Sequence, residues 1–219
     1  MKALIFFFSI ISLQTCISSS TPINRETPVW EPDTTHQEDF KKAYFASGCF
    51  WCVEAIFESV RGVEEVYSGY AGGFTKNPNY YQIGSGKTGH AESVEVIYDP
   101  KIVSFSTLLQ VFFGSHDPTT ANRQGPDYGS QYRSIAFYTS DEERKLIHDY
   151  MALLTEKAIF SKEIVTEVKP LEKFYYAEDY HQDYEKNNPD NPYVRQVSIP
   201  RLRRFQERYP ELLKENAHH

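Results

Sequence analysis

Cysteine is scarce in this chain of 219 residues, which has only three, and the three make no disulfide framework. Cys16 follows an apolar N-terminal stretch. Cys49 and Cys52 are so close that a bridge between them would close a short loop and remove little entropy from the unfolded chain. A Cys-x-x-Cys pair is also only half of a tetrahedral metal site, and no second paired motif completes it, so no metal is expected. Long basic runs are missing and the formal net charge is −7, which argues against nucleic acid as the main partner. No repeat, coiled coil or low-complexity tract is visible. The glycines Gly72, Gly73, Gly84, Gly86 and Gly89 follow no phosphate-binding order. The apolar stretch at residues 3–13 is too short to span a bilayer unaided.

What is there suits one globular domain: a hydrophobic content of 40% supports a single substantial core, placed at residues 40–209 with a tail at 210–219. Residues 1–20, with Lys2 as a positive start before the apolar stretch, read as an export signal. Leu13-Gln14-Thr15-Cys16 loosely resembles the box at which bacterial lipoproteins are cleaved, so lipid on Cys16 and ordinary cleavage nearby both stay open. The expected address is the bacterial cell envelope or periplasm, with membrane contact only through such a lipid. Residues 21–39 are rich in Ser, Thr, Pro and acidic side chains and read as a flexible tether. A monomer is the default.

Gly48-Cys49-Phe50-Trp51-Cys52 falls between an apolar run (Ala43, Tyr44, Phe45, Ala46) and a helical pattern (Val53, Ile56, Phe57, Val60). That places a thiol at a helix start, where unpaired N–H groups and the helix dipole favour an anion. The pKa of Cys49 is therefore expected to fall, which makes it the candidate nucleophile. Strands are expected at residues 62–70, 92–98, 134–138 and 164–168. Helices are expected after Ser104 and Asp141 as caps, and a short one over residues 200–213. Residues 71–89 look too interrupted for a regular element. The order is that of an α+β, ferredoxin-like split βαβ sandwich with an extra helix and strand, and from Pro170 onward a long irregular wrap.

Glu92 shares the parity of Val94, Val96 and Tyr98, which would desolvate its carboxyl and let it donate a proton near neutral pH. A solvated strand end is the plainer alternative. Phe50 and Trp51 read on their own as core, at least one of them off the main apolar stripe, and Asp127 as a turn residue in Gly125-Pro126-Asp127.

Taken in order, the Cys49 motif, Gly89-His90-Ala91-Glu92, His116-Asp117-Pro118-Thr119-Thr120, Asn122-Arg123-Gln124-Gly125, Gly129-Ser130-Gln131-Tyr132-Arg133-Ser134 and Ala177-Glu178-Asp179-Tyr180-His181-Gln182 resemble one family. That family is the type A peptide methionine sulfoxide reductases, and the resemblance runs over residues 41–204. It implies reduction of methionine S-sulfoxide, free or in proteins, through a sulfenic acid on Cys49. Glu92 would be the proton donor, and Tyr80 and Tyr132 the phenols that hold the sulfoxide oxygen. Phe50 and Trp51 would accept the S-methyl group, and Asp127 would orient the substrate backbone. No bound cofactor is implied, only thioredoxin or a similar dithiol as external reductant. His90, His116 and His181 are expected in structural hydrogen bonds.

The chain departs from many relatives in having no cysteine after Pro170, and Gly84 stands where relatives often have one. Cys52 is then the internal candidate for resolving the sulfenic acid to a disulfide, against direct reduction by an external thiol. The rival functions are a thioredoxin-like thiol-disulfide oxidoreductase, which shares the Cys-x-x-Cys signature, and a non-catalytic envelope binding lipoprotein.

Overall fold

A computed structural model of the chain describes residues 39–217. The export signal, Cys16 and all of the tether except Asp39 lie outside the described residues. Alternation in β1 (Lys41–Ser47) sends Ala43 and Phe45 to one face of a sheet and Tyr44 and Ala46 to the other. Then come α1 (Phe50–Glu58), β2 (Val63–Ala71), a short α2 (Tyr80–Gly84), β3 (Ala91–Tyr98) and α3 (Phe105–Gly114). The two-residue strands β4 (Arg123–Gln124) and β5 (Asp127–Tyr128) pair with each other. They lead to β6 (Ser134–Tyr138), α4 (Asp141–Glu156), β7 (Glu167–Pro170) and β8 (Phe174–Tyr176). Next come α5 (Tyr184–Asn187), a π-helical segment Val194–Ser198, α6 (Ile199–Arg208) and a 3₁₀ turn Pro210–Leu212.

The sheet order is β7-β6-β1-β3-β2-β8. Its central strands β6, β1, β3 and β2 pair antiparallel, with α1 and α3 as the crossovers, so the fold is α+β with the expected strand and helix order. β7 is the extra strand after α4 and runs parallel to β6. α1 and α3 cover one face, where Phe45 stacks on Phe57 at 5.2 Å and on Phe112 at 5.0 Å. Each such fully buried ring contributes about 1.5–3 kcal/mol of transfer free energy. The other face is also covered: Glu95 is buried there, accepting from Tyr44 Oη at 2.6 Å, Tyr176 Oη at 2.8 Å and Lys42 Nζ at 3.1 Å.

The structure corrects several expected elements. The glycine-rich loop contains α2, stabilised by a capping box in which Asn79 Oδ1 accepts from Gln82 N at 3.0 Å and Gln82 Oε1 from Asn79 N at 3.1 Å. Ser140, not Asp141, caps α4, because its side chain accepts from Glu143 N. The strand placed at 164–168 begins instead at Glu167. The wrap contributes β8, which pairs with Gly69, Tyr70 and Ala71 at the sheet edge. After α6 the chain packs back on the domain, with a bridge between Val60 and Leu213 and a Lys214 N–H donating to Ser59 O at 2.9 Å.

Candidate active site

β1 ends at Ser47 and the chain turns into α1 through Gly48, whose φ of +95° is ordinary for glycine, and where a Cβ would lie 2.7 Å from the Gln124 side chain. Cys49 becomes the N-cap of α1, as its sequence position suggests. The expected fall in its pKa does not follow. The free N–H of Phe50 donates to Glu92 Oε2 at 3.1 Å, and the Cys49 side chain makes no capping bond. Burial pushes the Cys49 thiol up, and the neighbouring Cys52 and Glu92 push it further. The lowered thiol is Cys52, brought to about 7 chiefly by the hydrogen bond from Cys49. The two sulfurs, both free, thus give up one proton readily as a pair and share the one that remains, with the charge favoured on Cys52.

Glu92 lies on β3 with the parity that its sequence indicates and is 2% exposed, which removes the solvated strand-end alternative. Burial pushes its carboxyl up to about 8; the Phe50 N–H opposes that, while Asp127 and Cys52 add to it. At neutral pH it is an acid. Tyr80, the first residue of α2, and Tyr132, in a 3₁₀ turn before β6, both feel Glu92 and Cys49. Burial first, and those charges next, raise both phenols, so each stays a hydrogen-bond donor. The structure therefore gathers Cys49, Cys52, Glu92, Tyr80 and Tyr132 around one place.

Phe50 is fully buried and its ring lies 6.3 Å from Tyr80 and 5.1 Å from His181. Trp51 is half-buried: it stacks on Tyr184 at 3.7 Å and meets Tyr193 in a T-shaped arrangement at 6.0 Å. The core reading is correct for Phe50, and Trp51 is partly buried against the same core. Asp127 is not a solvated turn residue, because it is half-buried on β5 and accepts from Tyr193 Oη at 2.6 Å.

Several residues that position the site were not singled out in the sequence. Glu178 accepts from Tyr70 Oη at 2.8 Å and from the backbone N–H of Tyr80 at 2.9 Å, fixing the start of α2. Gln182 accepts from Ser68 N at 2.9 Å and donates to Ser68 O at 3.1 Å, lacing the wrap to β2. Glu54, buried on α1, accepts from Ser68 Oγ at 2.5 Å and Asp183 N at 2.6 Å. Arg133 donates to Gly89 O at 2.9 Å and Ser130 O at 2.7 Å, holding the Tyr132 turn beside the start of β3. Glu178, Gln182 and Arg133 stood inside the quoted motifs, but only the fold reveals their partners. Tyr193, outside every motif, carried no signal.

The histidines are in hydrogen bonds. His90 Nδ1 accepts from Gly73 N at 3.1 Å and its Nε2 meets Thr75 O at 2.8 Å. Burial lowers His116 to about 3, and its ring bridges Phe112 O at 2.6 Å and Ser134 Oγ at 2.8 Å. His181, lowered to about 4 by burial, accepts from the Trp51 indole N–H at 3.1 Å.

Chemistry in such a place runs through sulfur: two thiols can give up two electrons by becoming a disulfide, and a buried acid beside them can protonate an oxygen that is being removed. Fold and site together define a thiol-dependent oxidoreductase. A family model described as peptide methionine sulfoxide reductase matches residues 41–213. Peptide methionine sulfoxide reductase MsrA 2 of Synechocystis sp. is 47% identical over 84% of this chain and 86% of its own. MsrA of Natronomonas pharaonis is 50% identical over 77% of this chain and 95% of its own. The reduced form of Mxr1 from Saccharomyces cerevisiae superposes with a TM-score of 0.66 at 35% identity, covering 70% of this chain and 88% of that one. The chain belongs to the peptide methionine sulfoxide reductase family. It is an enzyme that reduces methionine sulfoxide to methionine.

Proposed function

We propose that Cys49 attacks the sulfur of a methionine S-sulfoxide while Glu92 delivers a proton to the departing oxygen. The observation that carries this reading is Glu92 itself, a buried carboxylic acid still protonated at neutral pH and bonded to the first amide after Cys49. The shared thiol proton rests on Cys52 when Cys49 attacks. The sulfoxide oxygen passes to Cys49 as a sulfenic acid and methionine leaves reduced. Tyr80 and Tyr132 donate to the oxygen as it gains charge, in the manner of an oxyanion hole. Phe50 and Trp51 take the S-methyl group against their ring faces, and Asp127, with Tyr193, orients the substrate backbone.

Cys52 then attacks the sulfenic acid, forming the disulfide and releasing water. A thioredoxin-like dithiol reopens it by exchange. With the export signal read at residues 1–20, that donor belongs to the envelope and meets an enzyme that is either free there or held by lipid on Cys16. Free methionine sulfoxide and oxidised residues in proteins are both substrates of the required chemistry.

The test is a single turnover of the reduced protein with each sulfur epimer and no external reductant. Stoichiometric methionine from the S epimer alone, with two thiols lost, is expected. No product from either epimer would reject Cys49 as the nucleophile.

A further inference from the structure

Cys52 is met by side chains from a part of the chain remote in sequence. Tyr193 Oη lies 4.0 Å from its Sγ. Next comes the π-helical segment Val194–Ser198, a departure from regular helix of the kind that recurs at functional sites. Its last residue, Ser198, is fully buried and donates to Glu185 Oε2. One turn into α6, Arg201 donates from Nε to Ser115 O at 2.9 Å and from Nη2 to Ser47 O at 3.0 Å. Those carbonyls end β1 and cap α3, so the guanidinium is fixed beside the turn into Cys49, with Nη1 3.5 Å from where a Gly48 Cβ would stand.

We propose that residues 193–201 are a seat built for the Cys52 sulfur, in which Ser198 and Arg201 are positioning residues that prepare it to attack oxidised Cys49 and Glu185 opposes them. The proposal rests on the reading of Cys52 as the resolving thiol. In the step concerned, the Cys52 thiolate attacks the sulfur of the Cys49 sulfenic acid. The S–S bond forms as the S–O bond breaks, Cys52 is oxidised, Cys49 is reduced to the disulfide level, and hydroxide leaves to become water with a proton from the medium.

The groups facing Cys52 act with opposite signs. The Cys49 thiol favours the anion by donating a hydrogen bond, Arg201 by its charge and Ser198 by its hydroxyl, while Glu185 disfavours it. Glu92 is close enough to interact with it, and Asp127 holds the Tyr193 proton. Ser198 has a single proton, and it is given to Glu185. Neutralising Glu185 therefore turns that proton toward Cys52, which gives the proposal a variant of opposite sign.

The seat is tested by titrating the Cys52 thiolate through its ultraviolet absorbance, as the difference between full-length Cys49→Ser and Cys49→Ser/Cys52→Ser proteins. Arg201→Gln and Ser198→Ala are expected to raise the midpoint, Arg201→Lys to restore it and Glu185→Gln to lower it. With Cys49 present, disulfide closure after one turnover below the midpoint should slow about tenfold in Arg201→Gln. It should recover in Arg201→Lys. Midpoints unmoved, or all moved the same way, overturn the seat, and intact closure in those variants leaves Cys52 as the resolving thiol. Midpoints moved as expected, but with Cys52 still a free thiol after methionine has formed, overturn the resolving role and with it the use proposed for the seat.

Discussion

Glu92 Oε2 receives the Phe50 N–H at 3.1 Å, so the first free amide of α1 is given to the acid and not to the thiol beside it. The positive end of the helix thereby restrains a carboxyl that burial drives upward, and the balance leaves it at about 8. An acid in that range is protonated at working pH and still gives its proton up readily, which is where general acid catalysis is most efficient. The site thus tunes the proposed proton donor with the feature that the sequence suggests for tuning the nucleophile.

Replacing Glu92 with Gln removes the proton and keeps an amide oxygen to accept from Phe50. Methionine formation in a single turnover is expected to slow about a hundredfold or more, the range of a lost general acid, with the circular dichroism of the fold intact. A rate within a factor of about two of the parent would place the proton donor elsewhere.

The same carboxyl sets a pH dependence. Because Glu92 must be protonated, the first step should decline as pH rises through about 8, and that limb should vanish in Glu92→Gln. Stability follows with a definite sign. The folded state holds this proton up to about 8, whereas an ordinary Glu in the unfolded chain releases it near about 4.3. Its contribution is complete below the unfolded value and is lost as pH rises through the folded one. Thermal melts of Glu92→Gln relative to the parent should therefore improve steadily from acid to alkaline pH. A constant difference would mean that the carboxyl is not held protonated by the fold.

Cys52→Ser should yield one methionine per enzyme and then stop when thioredoxin is the reductant, because no second thiol closes the disulfide that thioredoxin opens. Counting product against enzyme in the presence and absence of excess thioredoxin decides the matter. Sustained turnover would mean that an external thiol reaches Cys49 directly.

The strand and helix order was legible because β1, β3 and α1 carry clean periodicity and Ser104 is a true cap, accepting from Thr107 N. α2 and β8 were not, since a five-residue helix and a three-residue strand give pattern reading too little to count. Cys49, Glu92 and the phenols could be placed from parity and motif. The acidity of Cys49 could not, because it depends on which neighbour takes one amide proton and on how deeply the thiol is buried. Tyr193 lies more than a hundred residues beyond Cys52, and only packing of the wrap against α1 brings it there, just as it brings Arg201 to Ser47 O at the end of β1.

Glu178 offers a way to separate stability from positioning. One oxygen accepts from the buried Tyr70 hydroxyl and the other from the Tyr80 N–H. Glu178→Ala leaves both donors unsatisfied, at about 1–3 kcal/mol for each that stays dry. It should lower the melting temperature and also slow the first step about tenfold or more, since small misplacement of a group in the site is costly. Glu178→Gln keeps the bond from the Tyr80 N–H through its carbonyl and loses only the acceptor of the Tyr70 O–H, so its rate is expected to stay near the parent and its melting temperature to fall less than in Glu178→Ala. Adding Tyr70→Phe to Glu178→Ala removes one orphaned donor. The melting temperature should then recover in part, while the rate stays low because the Tyr80 backbone is still unanchored. Recovery of the rate together with stability would show that Glu178 serves the fold as a whole and not the placement of the Tyr80 phenol.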